Sequence, residues 1–257
     1  MGPPDAGGMR LQDHPTTTAA DRLGPETIAV LPVGSVEQHG PALPLGTDLL
    51  AADGVAATVD REDAVVLPPI PVGVSAHHQQ FHGTLSVDPT TLEAYVEDVL
   101  ASVATHGVRR AVIVNGHGGN TDALRRVARR LRDTVFAVPW NWWDGLDDEI
   151  EAQLDTSLAH ADEVETSVLL ALTDLVRESA LPAAERDAVD TWGEQVAGTD
   201  VAFDTVEFAP NGVVGTPTNA SADAGDALVE AAAANLDALI DWLATRSPSD
   251  LAVPPHR

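Results

Sequence analysis

The stretch Ala111-Val112-Ile113-Val114-Asn115-Gly116-His117-Gly118-Gly119-Asn120 decides the fold. Its first four residues are a compact apolar run of β type, a Gly-rich turn follows, and a helical pattern opens at about 121. The same succession recurs to either side. Thr27–Val33, Ala64–Leu67 (ended by Pro68) and Val135–Val138 are the other strand-like runs. Helices are predicted at about 47–60, 90–106, 120–132, 161–178 and 222–245, with Thr47 and either Asp88 or Thr90 suited to N-caps. Apolar strands alternating with helices specify an α/β protein. The expected form is a single-domain three-layer α/β/α arrangement with a mainly parallel central sheet. In such folds ligands bind where strands end and turns lead into helices.

Outward from this core, residues 1–24 are rich in Pro, Gly, Thr and Asp and read as a flexible N-terminal arm. Residues 25–246 form the α/β domain, and 247–257 read as a flexible tail. The irregular stretch from about 181 to 220 is long for a connection and reads as a flap near a site.

Composition narrows the function. The 257 residues include no Cys, which excludes disulfides and thiolate metal sites. The net charge is -26, and all 14 basic residues are Arg, with no Lys. Such a chain repels nucleic acid and anionic membranes. Salt screens the self-repulsion, so a halophilic setting is expected. No apolar run spans a bilayer and no secretory leader opens the chain, so a cytoplasmic location is expected. Seven Arg between Arg109 and Arg132 read as a solvated helix face or a subunit salt-bridge surface, and Trp140, Trp142 and Trp143 as core, interface or a pocket wall.

Four segments carry chemistry. In Gly34-Ser35-Val36-Glu37-Gln38-His39-Gly40, Glu37 and His39 are two apart and face the same way in extended backbone. Asp48 opens the next helix, so two carboxylates and an imidazole converge on a plausible divalent-metal site. In Asn115–Asn120 the glycines permit close approach to a ligand. A phosphate cradle is disfavoured because neither Gly-x-Gly-x-x-Gly nor a P-loop Lys is present. In His160-Ala161-Asp162-Glu163-Val164-Glu165-Thr166-Ser167, Glu165 shares a helical face with Val168, Leu169, Leu172 and Val176. A carboxylate there is costly unless paired or metal-bound. Glu163 points with Thr166, Ser167 and Asp174 and reads as solvated surface. The fourth segment holds His77, His78 and His82; adjacent His point apart, so at most one of His77 and His78 is expected to reach a given site.

Taken in order, these segments resemble the creatininase (creatinine amidohydrolase) family, and by charge a haloarchaeal-type member. Gly34–Pro41, Leu43–Asp48, Phe81–Ser86, Asn115–Asn120, His160–Ser167 and Gly212–Pro217 carry the resemblance. It implies two divalent ions, Zn by default with Mn or Fe also suited, and a homo-oligomer, often a hexamer. Glu37, Asp48 and His117 would hold one ion; His39 and Asp48 would hold the other, with Asp48 bridging. Glu165 would stand beside the second ion as a ligand or as a group orienting water, and His160 would handle a proton. His78, Gly118, Gly119 and Asn120 would bind substrate. Three departures point away from creatinine itself. Gly119 stands where creatinine-hydrolysing members have Glu, Thr156 lies near the position of their Trp, and His82 replaces a Pro. The Gly-His-Gly-Gly-Asn form is similar to relatives acting on formamides or on a peptide precursor of a redox cofactor.

The expectation is therefore a metal-dependent amidohydrolase that cleaves a C–N amide bond in a cyclic amide, formamide or peptide-like small molecule. The alternatives are a peptidase-type relative in redox-cofactor maturation, or a non-catalytic metal- or nucleotide-binding protein on the same scaffold.

Overall fold

The computed structural model describes residues 8–154 and 158–251. Residues 1–7 of the expected arm 1–24, residues 252–257 of the expected tail 247–257, and Thr156 lie outside the described residues. Met9–Arg10 (β1), Ile28–Val33 (β2), Ala64–Val66 (β3), Arg110–Asn115 (β4) and Phe136–Asn141 (β5) form one sheet in the order β1-β3-β2-β4-β5, and all its pairings are parallel. The helices are Thr16–Arg22 (α1), Thr47–Ala57 (α2), Pro89–Ala104 (α3), Thr121–Arg130 (α4), Asp147–Gln153 (α5), Glu163–Leu172 (α6), Leu181–Arg186 (α7), Thr205–Phe208 (α8), Ala222–Ala244 (α9) and Pro248–Leu251 (α10). Gln195–Val196 (β6) and Thr199–Asp200 (β7) make a small antiparallel hairpin.

Every residue of β2 and β4 is buried, as a sheet covered on both faces requires. Their side chains alternate between two apolar layers. Ile28, Val30, Val112 and Val114 meet Val55 of α2, Val164 and Val168 of α6, and Leu228 and Leu236 of α9. Ala29, Leu31, Ala111 and Ile113 meet Leu92, Val96 and Leu100 of α3 and Leu124 and Val127 of α4. Three layers result, as the alternation of strands and helices implied. Asp88 accepts a hydrogen bond from Thr90 N at 2.8 Å and caps α3.

Chain order and sheet order diverge at β2. The β2–α2–β3 unit runs to one side, and α3 then returns the chain to place β4 on the other. The carboxyl ends of β2 and β4 therefore flank a crevice where the winding reverses, the usual ligand position in open parallel sheets.

Two expectations change. The folded unit begins before residue 25: β1 pairs with the outer edge of β3, Met9 is buried, and Leu11, Ala19 and Leu23 pack on the core. An uncovered sheet edge is a liability, and two residues suffice to cover this short one. The Arg cluster also divides. Arg110 is buried and donates to the carbonyls of Leu243 (3.1 Å), Arg246 (3.0 Å) and Pro25 (2.9 Å). Its guanidinium thus serves the carbonyl-rich end of α9. Arg126 and Arg130 pair with Glu93 of α3 at 2.6 and 2.8 Å. No helix among the described residues is long and apolar enough to cross a membrane.

Candidate active site

Two glycines bring the site together. An ideal Cβ at Gly34 would lie 2.3 Å from Leu49 Cα, and one at Gly116 would lie 2.0 Å from the carbonyl oxygen of Asp48. Without side chains there, the first turn of α2 rests on the ends of both β2 and β4. Asp48 is thereby carried into the crevice between them. Glu37 and His39, from the turn after β2, reach it from one side, and His117, directly after β4, from another.

The four residues are at most 5% exposed. His39 Nε2 is 3.0 Å from Asp48 Oδ1 and 3.7 Å from Glu165 Oε2. His117 Nδ1 is 3.2 Å from Asp48 Oδ2, and its Nε2 is 3.2 Å from Glu37 Oε2. Three sets of potential ligand atoms lie within 4.8 Å of one another: Glu37, Asp48 and His117; His39, Asp48 and Glu165; and Glu37, His39 and His160.

A divalent cation fits this geometry. Glu37 Oε1, His39 Nε2 and Asp48 Oδ2 are buried and make no hydrogen bond, although other polar atoms face them. His39 Nδ1 lies 3.1 Å from the Glu37 carbonyl, to which it can donate, leaving the Nε2 lone pair directed inward. His117 Nε2 likewise lies 2.9 Å from the Val74 carbonyl, leaving Nδ1 toward Asp48. Carboxylate and imidazole donors are the set that Zn and Mn accept.

The electrostatics lead to the same conclusion. Burial would raise the Glu37 carboxyl, and Asp48 adds to that, yet His117 and His39 hold it at about 2. Asp48, also opposed by burial, is held at about 2 by the same two histidines. Burial would lower His39, but Asp48, Glu165 and Glu37 raise it to about 10. His117 is likewise raised, by Glu37 and Asp48 against burial. Protons on these rings balance buried carboxylates, a role that a cation would take over. Burial lifts Glu165 to about 8, with His39 opposing. His160 falls to about 3, chiefly through burial and then through His39, so its ring is neutral.

The other wall of the cavity, which has a volume of about 290 Å³, includes His77, His78, Gly118, Gly119, Trp143, His160, Glu165 and Trp192. His160 pairs its backbone with Val214 (N–O 3.2 and 2.9 Å), and the following Ala161 adopts φ 52°. That left-handed conformation is a strain of the kind found at functional sites. Glu165 Oε2 accepts from Ala161 N at 2.6 Å.

Several expectations are corrected here. His77 and His78 both line the cavity, because they lie in a 3₁₀ turn, not an extended strand. The ring nitrogens of His78 face Gln38 (2.9 Å) and Glu37 (3.3 Å). Asn120, expected to bind substrate, does not line the cavity. Its carboxamide is engaged by Val74 N, the Gly34 carbonyl and Asn115 Oδ1 at 2.8–3.2 Å. Glu163 is buried, as are Thr166 and Ser167. The face expected to meet solvent is covered by α9: a Cβ at Gly225 would lie 1.9 Å from the Ser167 carbonyl, and Ser221 N donates to Ser167 Oγ.

Residues not singled out also shape the site. Ser75 Oγ donates to Glu37 Oε2 and is itself bonded to Ser35 Oγ. Trp192 comes from the stretch expected to be a flap, and its ring sits 5.9–6.2 Å from the rings of His160, His78 and His77. The signal for Trp192 was the long irregular connection; for Ser75 there was none.

A family profile described as creatininase, creatinine amidohydrolase, matches residues 12–240. The chain is 35% identical over 225 residues to the mycofactocin precursor peptide peptidase of Mycolicibacterium smegmatis, covering 82% of this chain and 83% of that protein. It is 32% identical over 173 residues to the creatinine amidohydrolase of Pseudomonas putida, covering 59% and 66%. A solved structure described as creatininase Mn aligns with a TM-score of 0.75 at 25% identity, covering 94% of this chain and 99% of that one.

Proposed function

The chain belongs to the creatininase family, and from that premise we propose how its site works. It is a metal-dependent amidohydrolase acting on a C–N bond outside ordinary peptide hydrolysis. In this reading Glu37, Asp48 and His117 hold one divalent cation, and His39, Asp48 and Glu165 hold a second. The observation that carries the reading is that Asp48 belongs to both ligand sets, each within 4.8 Å. Zn and Mn both suit these donors.

When bound, such a pair polarises an amide carbonyl and makes a water acidic enough to attack it. The protein's own groups do the rest. Buried carboxylates and imidazoles hold their geometry before substrate arrives. His160, neutral and beside the ligand atoms, can accept a proton and pass it to the departing nitrogen. The third ligand combination would require His160 as a ligand; its Nε2 lies 3.0 Å from the Gln38 carbonyl, which suits a protonated nitrogen better. Glu165, raised by burial, ionises on meeting a cation and otherwise holds a proton.

Within the family, the proposed substrate is a peptide-like amide, not creatinine. A Cβ at Gly119 would lie 2.4 Å from the Val74 carbonyl and 2.5 Å from His117 Nε2, so this backbone has no room for the Glu of creatinine-hydrolysing members. The similarity to a precursor-peptide peptidase over most of both chains supports the same choice. The setting proposed is a homo-oligomer, as in the family's hexamers, in a salt-rich cytoplasm; the charge of -26 without Lys supports the salt.

Purified protein, assayed with and without a chelator against short precursor-type peptides, formamides and creatinine, tests this. Metal-dependent cleavage of a peptide-like amide is expected. Turnover of creatinine alone would overturn the substrate class. Protein free of divalent ions, unaffected by His117→Ala, would overturn the enzyme reading. Unfolding on dilution from molar salt, and elution above monomer size, are the expected results for the setting.

A further inference from the structure

Away from the catalytic cavity, one face of the molecule departs from the rest in both charge and polarity. Residues 109–132 hold seven of the 14 basic residues and a single acid, Asp122, in a chain whose net charge is -26. Arg125, Arg126, Arg129 and Arg130 are exposed along α4, and Arg132 is exposed just past its end. Arg126 and Arg130 reach across to Glu93 of α3, yet their side chains stay 50% and 45% exposed. On the other side of α3, Leu11, Ala19, Leu23, Tyr95 and Val99 line an apolar groove of about 720 Å³ between α3 and α1. Tyr95 is 53% exposed. Asp98 lines the same groove, and Asp13 and Asp21 are exposed on the segment that carries Leu11 and Ala19. Arg22, the one basic residue of α1, is turned to the carbonyls of Arg61 and Glu62, both at 3.1 Å.

The face therefore presents three strips in the order α4, α3, α1: cations, an apolar groove with an aromatic ring beside it, and carboxylates. An exposed apolar patch rimmed by charge marks an interaction surface, and Tyr and Arg are the residue types enriched in such surfaces. Charge then selects the occupant. A polyanion would meet the Arg strip but also the carboxylates beside it and the field of the whole chain. A second copy carries all three strips. A two-fold axis parallel to α3 lays the α4 of each copy over the α1 of the other, so each Arg strip meets a carboxylate strip and the apolar strips meet at the centre. A two-fold across α3 would set Arg against Arg. The Debye length is about 3 Å in 1 M salt, so in strong salt the apolar centre supplies the binding and the charges supply the register.

We propose that the face formed by α1, α3 and α4 is the contact between two copies of this chain, paired about a two-fold axis along α3 with Tyr95 at its centre. The proposal rests on the homo-oligomer proposed above and not on the amidohydrolase reading. None of the residues it uses lines the catalytic cavity.

The test is sedimentation equilibrium of the full chain in salt that keeps it folded. The unsubstituted protein is expected to form a dimer or an assembly built of dimers; a monomer or an odd-numbered assembly overturns the proposal. Tyr95→Ala, at an exposed position, is expected to weaken pairing about 30-fold, and an unchanged dissociation constant overturns the face. Two charge-reversed chains then test the axis. Arg125→Glu with Arg129→Glu makes both outer strips acidic, and Asp21→Arg with Asp98→Arg makes both basic, so each chain alone is expected to pair more weakly than the unsubstituted one. Mixed in equal amounts they are expected to form a one-to-one hetero-pair, because each α4 then meets an opposite α1. A mixture that pairs no better than its parts overturns the two-fold along α3. Should either reversed chain fail to fold, Tyr95→Ala still decides the face. A monomer that binds a short DNA duplex, and loses it with Arg125→Glu and Arg129→Glu, would give the face to a polyanion instead. Metal content and turnover are read separately, so failure of the amidohydrolase reading would appear there and leave the pairing result intact.

Discussion

The two walls of the site are built differently. Glu37, His39, Asp48 and His117 hang from the ends of β2 and β4, against a first turn of α2 that approaches too closely for a side chain at Gly34 or Gly116. Opposite them, Trp192 is 50% exposed and comes from a stretch whose only local sheet is a two-residue hairpin. Side chains held by a packed sheet keep a ligand geometry within tight limits, whereas a loop can be rebuilt without disturbing the core. The difference suggests a division of labour: the sheet wall determines what chemistry is possible, and the loop wall determines what is admitted to it.

The largest effect expected from breaking the sheet wall is at Asp48. Because it belongs to both proposed ligand sets, Asp48→Ala should remove both cations and reduce activity to background, as elemental analysis and the peptide assay would show. Retention of one cation would mean that Asp48 does not bridge. The glycines provide a finer cut. Gly116→Ala places a methyl group 2.0 Å from the Asp48 carbonyl, and such overpacking costs about 1–3 kcal/mol. Gly118 also lines the cavity but has nothing within 4 Å of its would-be Cβ, so Gly118→Ala should stay within about 0.5 kcal/mol. Thermal unfolding of the two variants should separate close backbone approach from mere membership of the motif; equal stability losses would contradict the geometry.

Protonation gives a third test of the same wall. Without metal, the folded protein holds protons that the unfolded chain has released. On Glu165 this runs from the ordinary 4.5 up to about 8, because burial raises it. On His39 it runs from 6.5 up to about 10, because Asp48 and its neighbours outweigh burial. Both contributions are complete below the unfolded value and disappear as pH rises through the folded one. Stability of the metal-free protein should therefore decline as pH rises across this window. Glu37 and Asp48, lowered to about 2, act at the other end, where stability is lost as pH falls below about 4. A bound cation displaces the ring protons and should flatten the alkaline decline. Unfolding at about pH 6 and about pH 9, in chelator and in added Zn or Mn, measures this; parallel curves in the two conditions would mean that these residues do not share a cation.

The sheet wall was largely legible in the sequence, because its information is local. Two-residue spacing put Glu37 and His39 on one side, a helix start placed Asp48, and the strand before Asn115 placed His117. The loop wall was not legible, because its partners are distant in the chain. A helical wheel describes α6 alone, so it assigned Glu163 to solvent without reference to α9 lying over that face. Asn120 sits in the right motif, yet its amide is engaged by segments 46 and 86 residues away. Met9 and Arg10 are too few to show a strand period, and only the free edge of β3 makes them one.

The smallest expected effect is the one that most sharpens the contrast. Trp192 meets the rings of His77, His78 and His160 edge-on and packs on Phe208 at 5.2 Å, and none of these four belongs to the two ligand sets proposed to hold cations. Edge-to-face contacts of this kind contribute about 0.5–1.5 kcal/mol. If substrate takes over part of that contact, Trp192→Ala should raise KM by about two- to tenfold. The proposed cation ligands, the core and the proposed proton carrier are all held by other elements, so kcat and metal content should stay at their unsubstituted values, and the unfolding temperature should fall by no more than about 2–4 °C. A variant that lost metal, or more stability than this, would show that the loop supports the sheet wall, and the two walls would then have to be treated as one unit.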